Sequence, residues 1–122
     1  MNPLFVQTDG NQADYRPGDI VRGVIRWQYD TRPGRIELRL IWFTEGPGPD
    51  DVKIVDTLVQ EDPLPADACV FQFRLPDGPF SYNGNSFRVR WALELLAPGR
   101  KDCVRLNVIV SPTNQPITVP FH

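Results

Sequence analysis

The stretch from Cys69 to Leu96, CVFQFRLPDGPFSYNGNSFRVRWALELL, constrains this chain more than any other. Apolar and polar residues alternate in two runs, and the loop between them is built of Pro, Gly and Asn. Alternation at period two is the mark of a half-buried β-strand. It places Phe71, Phe73 and Leu75, then Phe87, Val89, Trp91, Leu93 and Leu95, on inward faces.

The same period recurs on both sides of this pair. Residues 3–7 read as a short first strand, with Pro3 at its start where a missing N–H costs little. In residues 19–29, Val21, Gly23, Ile25, Trp27 and Tyr29 share one face, and Arg22, Arg26 and Gln28 the other. Gly23 leaves room beside Trp27 or a crossing strand. In residues 35–45, Ile36, Leu38, Leu40 and Trp42 are in phase, which turns Glu37, Arg39, Ile41 and Phe43 outward. Residues 52–59 are apolar on both sides, with Asp56 blunting an edge. Residues 101–110 form the last regular strand, and Ile117–Val119 pair briefly in a tail with three prolines.

Seven main strands, Pro- and Gly-rich turns between them and no 3.6-residue period predict an all-β fold. The expected architecture is a two-sheet antiparallel β-sandwich of immunoglobulin-like type. A chain of 122 residues is expected to form one such domain, 1–122, with residues 111–122 as a proline-rich C-terminal tail.

The order Tyr15-Arg16-Pro17-Gly18-Asp19-Ile20-Val21-Arg22-Gly23-Val24-Ile25, then Phe71-Gln72-Phe73-Arg74-Leu75-Pro76, Pro79-Phe80-Ser81-Tyr82-Asn83-Gly84 and Phe87-Arg88-Val89-Arg90-Trp91, resembles arrestin-like domains. These include the arrestins, the Vps26 retromer subunits and bacterial sporulation-control proteins of the same fold. The resemblance runs over roughly residues 15–110. It implies a β-sandwich that binds or scaffolds and carries no enzymatic site. Arrestins and their relatives usually hold two such domains in tandem, so receptor- and phosphate-sensing residues do not carry over to this chain.

Charge and residue inventory point the same way. Formal net charge is -2, which gives no electrostatic footprint for nucleic acid or an anionic membrane. No apolar run approaches the roughly 20 residues of a membrane-spanning helix, and the N-terminus lacks the pattern of a secretory signal. Cys69 is in phase with the core and Cys103 is out of phase with its strand, so the two are expected to be free thiols in a reducing, cytoplasmic setting. A bridge between chains through Cys103 is the alternative. The single histidine, His122, cannot build a metal cluster or a triad, and Ser81, Ser86 and Ser111 lack a nucleophile context. Asp9, Asn11 and Asp14, or Asp50 with Asp51, lack the glycine and terminal Glu of a calcium loop. No enzyme activity and no cofactor are expected.

The most suggestive constellation is the outward face of the strands around residues 35–45, 87–96 and 101–110. It carries Arg39, Ile41 and Phe43, then Arg88, Arg90 and Glu94, then Arg105, Asn107 and Ile109. Arginines beside apolar side chains are the composition of an interface centre. A solvated face with cross-strand Arg–Glu pairs accounts for the same residues equally well. The expected function is a protein-interaction or scaffolding module that binds a protein partner through this face or a strand edge. The partner-binding residues would be Arg39, Ile41, Phe43, Arg88, Arg90 and Arg105, with Arg88 and Arg90 meeting a carboxylate or phosphate and Ile41 and Phe43 anchoring, and a homodimer would cover the latter two. The competing class is a carbohydrate-binding module of the cell envelope, which needs aromatic rings on an open face. Phe43 and Tyr82 are the rings expected outside, because Trp27, Trp42 and Trp91 share the phase of the core.

Overall fold

The period-two runs become β1 (Leu4–Thr8), β2 (Asp14–Tyr15), β3 (Ile20–Gln28), β4 (Arg35–Glu45), β5 (Val52–Glu61), β6 (Ala66–Arg74), β7 (Tyr82–Asn83), β8 (Arg88–Ala97), β9 (Asp102–Val110) and β10 (Ile117–Thr118). The computed structural model describes residues 2–48, 50–112 and 117–118. Among these, the only helical turns are the three-residue 3-10 turns Asp9–Asn11 and Pro98–Arg100. His122 and Val119 lie outside the described residues.

One sheet is three-stranded and antiparallel, in the order β1–β3–β6. In the other, β5, β4 and β8 run side by side, and the far edge of β8 is shared by β7 and β9. The short strands β2 and β10 add in parallel to β9 and β7. The architecture is the two-sheet sandwich that the alternation predicts, with seven long strands and three short ones.

Inward residues of both sheets meet in one core. Val21, Ile25, Trp27, Phe71 and Phe73 come from the three-stranded sheet, and Ile36, Leu38, Leu40, Trp91, Leu93 and Leu95 face them. Full burial of each aliphatic side chain contributes about 1.5–3 kcal/mol. Two of the tryptophans satisfy their indole N–H inside: Trp27 donates to Leu64 O and Trp91 to Pro79 O, both at 2.8 Å. Trp42 is half-buried against the same core.

Gly23 answers to a different neighbour from the one its sequence suggests. A Cβ there would lie 2.0 Å from Gln7 O and 2.8 Å from the Phe71 ring. The close approach is that of β1 and of Phe71, not of Trp27. Phe87 also departs from its expected inward place. Regular pairing of β8 begins only at Arg88, so the alternation does not reach Phe87, which is 47% exposed and stacks on Tyr82 at 5.0 Å.

Candidate functional site

The outer face of the four long strands β5, β4, β8 and β9 is tiled by ion pairs. Antiparallel register sets Arg39 opposite Glu94, and Glu94 opposite Arg105. Glu37 accepts from Arg35 at 2.7 Å and from Arg39 at 2.8 Å. Glu94 lies 3.7 Å from Arg39 and 3.0 Å from Arg105, and Arg35 reaches Glu61 on β5 at 2.9 Å. Arg90 pairs with Glu45. Four guanidiniums thus face four carboxylates, and the face is close to neutral.

These long side chains also form a roof. Ile41 and Ala92 are fully buried and Phe43 is buried, although all three point away from the core. The Arg105 guanidinium lies 4.7 Å above the Phe43 ring. Stems of arginine shield apolar surface while their heads stay in water. Ile41 and Phe43 are therefore not the open anchors that the alternation suggests: Arg105 covers the Phe43 ring, and Ile41 lies against Ala92 and beside Ile54 of β5, so the chain itself supplies the cover expected from a second copy. Of the six residues singled out in sequence, Arg39, Arg90 and Arg105 are committed to internal pairs, and Arg88 stands exposed at the start of β8 with no ion pair among the described residues. Tyr82, expected outside, is half-buried.

Burial pushes the Glu37 carboxyl up, and the hydrogen bonds and charges of Arg35 and Arg39 outweigh it, leaving Glu37 below its ordinary value. Burial is also the first cause that raises the Tyr29 phenol, reinforced by the hydrogen bond it donates to Asp102 Oδ2 at 2.8 Å. Both groups are structural ties. The cavity between β7, β8 and β9, about 240 Å³, is lined by Ser81, Tyr82, Asn83, Val108 and Ile109, with Arg90 as its charged member. It brings together no acid–base pair. No group of three His, Cys, Asp or Glu suited to a metal occurs among the described residues. Cys69 and Cys103 are free, half-buried and exposed respectively.

The outer face of β1–β3–β6 is different. Register places Phe5 beside Arg26 and Ala68, Gln7 beside Val24 and Val70, and Arg22 beside Gln72. Phe5 is 43% exposed and Val70 80% exposed. The Arg26 guanidinium lies 5.2 Å over the Phe5 ring. Neither Arg22 nor Arg26 forms an ion pair among the described residues. Arg22 and Arg26 were legible in sequence as outward residues of β3. Phe5 and Val70 were not, because only the pairing of three distant segments brings them beside these arginines.

No helix among the described residues is long and apolar enough to cross a membrane. No protein-family model matches the sequence, and no curated protein matches it. The crystal structure of Spo0M, a sporulation control protein from Bacillus subtilis, is similar in fold, with a TM-score of 0.54 and 15% sequence identity over 88% of this chain. The match covers 48% of the Spo0M chain, so this chain spans about half the length of that protein. The strand order and this likeness together establish that the chain has an arrestin-like β-sandwich fold.

Proposed function

We propose that the chain is a non-enzymatic protein-interaction module that holds a protein partner across an outer sheet face. The observation that carries this reading is a contrast in charge among the described residues: on one outer face four of the arginines are paired with carboxylates and Arg88 alone is not, whereas on the other Arg22 and Arg26 both lack an ion pair beside the exposed Phe5 and Val70. Such a composition is that of an interface core. Spo0M, as a sporulation control protein, is compatible with a binding module of this fold. Two free thiols on separate strands support a reducing, cytoplasmic setting.

The test is recovery of proteins from native extract on the intact chain, comparing wild type with Arg22→Glu/Arg26→Glu and with Arg88→Glu/Arg90→Glu. A protein retained by wild type and lost from one double variant supports the module. No retention above a blank matrix, or retention indifferent to both variants, contradicts it.

A carbohydrate-binding module is the second reading. It is favoured by the exposed Phe87, stacked on Tyr82 beside a polar cleft lined by Glu45, Asn85, Ser86 and Arg88. Glycan-array binding that is abolished by Phe87→Ala would establish this reading in place of the first.

A further inference from the structure

We infer that the outer face of β1–β3–β6 binds an extended acidic peptide in which two carboxylates flank one aliphatic residue at alternate positions. This rests on the reading of the chain as a protein-interaction module and names the chemistry of its partner. Arg22, Val24 and Arg26 alternate along β3 and share its outward side, so the two guanidiniums stand four residues, or about 13 Å, apart along the strand. Between them, Val24 and Val70 sit opposite one another and form an apolar floor. The Arg26 guanidinium lies over the exposed ring of Phe5, a weak cation–π contact that biases it toward this face before any ligand arrives. Shallow depressions lie at both ends of this floor, one at Arg22, Val70 and Gln72 and the other at Phe5, Arg26 and Ala68.

An extended peptide repeats its side-chain direction every second residue. A carboxylate at the first position, an aliphatic side chain at the third and a carboxylate at the fifth therefore span the same length as Arg22, Val24 and Arg26. Arg74, opposite Ile20, continues the positive row beyond Arg22. Asp9 shares the depression with Arg22 yet makes no ion pair with it, so that guanidinium keeps its donors for an incoming carboxylate. The acid, aliphatic, acid spacing occurs nowhere in the chain's own sequence, which argues for another protein as the source and against a second copy.

The probe is a blocked, fluorescently labelled peptide centred on Glu–Thr–Leu–Thr–Glu, titrated with the intact chain and read by anisotropy. Wild type is expected to bind it, with affinity falling as salt rises. Replacing both Glu by Gln should weaken binding at least tenfold. Arg22→Glu/Arg26→Glu should lose the acidic peptide and gain a Lys–Thr–Leu–Thr–Lys counterpart, with an unchanged melting temperature since both side chains are exposed. Arg88→Glu should bind as wild type does. Absence of binding to the acidic peptide, equal affinity in wild type and the Arg22/Arg26 variant, or preference for phosphatidylserine vesicles would each overturn the assignment. A partner recovered from extract that ignores Arg22→Glu/Arg26→Glu would overturn this face while leaving the interaction module in place. Failure to recover any partner would overturn the module itself.

Discussion

Gly23 shows how one missing methyl group can hold two strands together. Its Cα side faces Gln7 O and the Phe71 ring so closely that a Cβ would overlap both. Gly23→Ala is expected to destabilise the fold by about 3 kcal/mol, read from denaturant unfolding, because β1 or Phe71 must move. Glu37 makes a pH-dependent contribution. Its folded carboxyl is held below the ordinary value of 4.5, so its pairing with Arg35 and Arg39 stabilises above that value and is lost as pH falls through the lower, folded one. Glu37→Gln should therefore cost about 1 kcal/mol at neutral pH and flatten the acid limb of the stability curve. A curve of unchanged slope would mean that the pair contributes nothing. Ile41 and Phe43 mark where residue patterning stops being informative. Alternation states correctly that they point away from the core, but their cover comes from Arg105 and its neighbours on other strands, and no local period records that.

Strands were legible to the degree that their two faces differ. β3 was clear because Val21, Ile25 and Trp27 oppose Arg22 and Arg26, and the same contrast defined β6 and β8 as far as Arg88. The two-residue strands β2 and β7 were not, since pairs this short carry no period and are set by the strands they join. β5 looked irregular in sequence, and its register supplies the reason: opposite Leu40 and Ile41 of β4, β5 carries Val55 as an extra, unpaired residue that packs against the core, while Lys53 and Asp56, opposite Trp42 and Leu40, both stay exposed. Charges on a bulged edge strand discourage pairing with another sheet. Lys53→Val/Asp56→Val should therefore self-associate as concentration rises, by light scattering, where the wild-type chain does not gain mass through this edge. A variant that stays at the wild-type mass would show that the edge is protected by other means.

Two sheets of one sandwich carry similar outward sequences, arginines alternating with aliphatic side chains, and yet expose different chemistry. On β5–β4–β8–β9, register interposes Glu94 between Arg39 and Arg105, and alternation along β4 sets Glu37 between Arg35 and Arg39, so these charges cancel at home. On β1–β3–β6, no carboxylate among the described residues pairs with Arg22 or Arg26, and Phe5 and Val70 stay open beside them. Sequence alone favoured the first face because it holds more arginines, whereas pairing across strands, a property of the assembled sheet, favours the second. Amide chemical-shift mapping of the intact chain during titration with the Glu–Thr–Leu–Thr–Glu peptide separates the two. The account predicts shifts confined to β1, β3 and β6 around Phe5, Arg22, Val24, Arg26 and Val70, and shifts that instead gather on β4, β8 and β9 would contradict it.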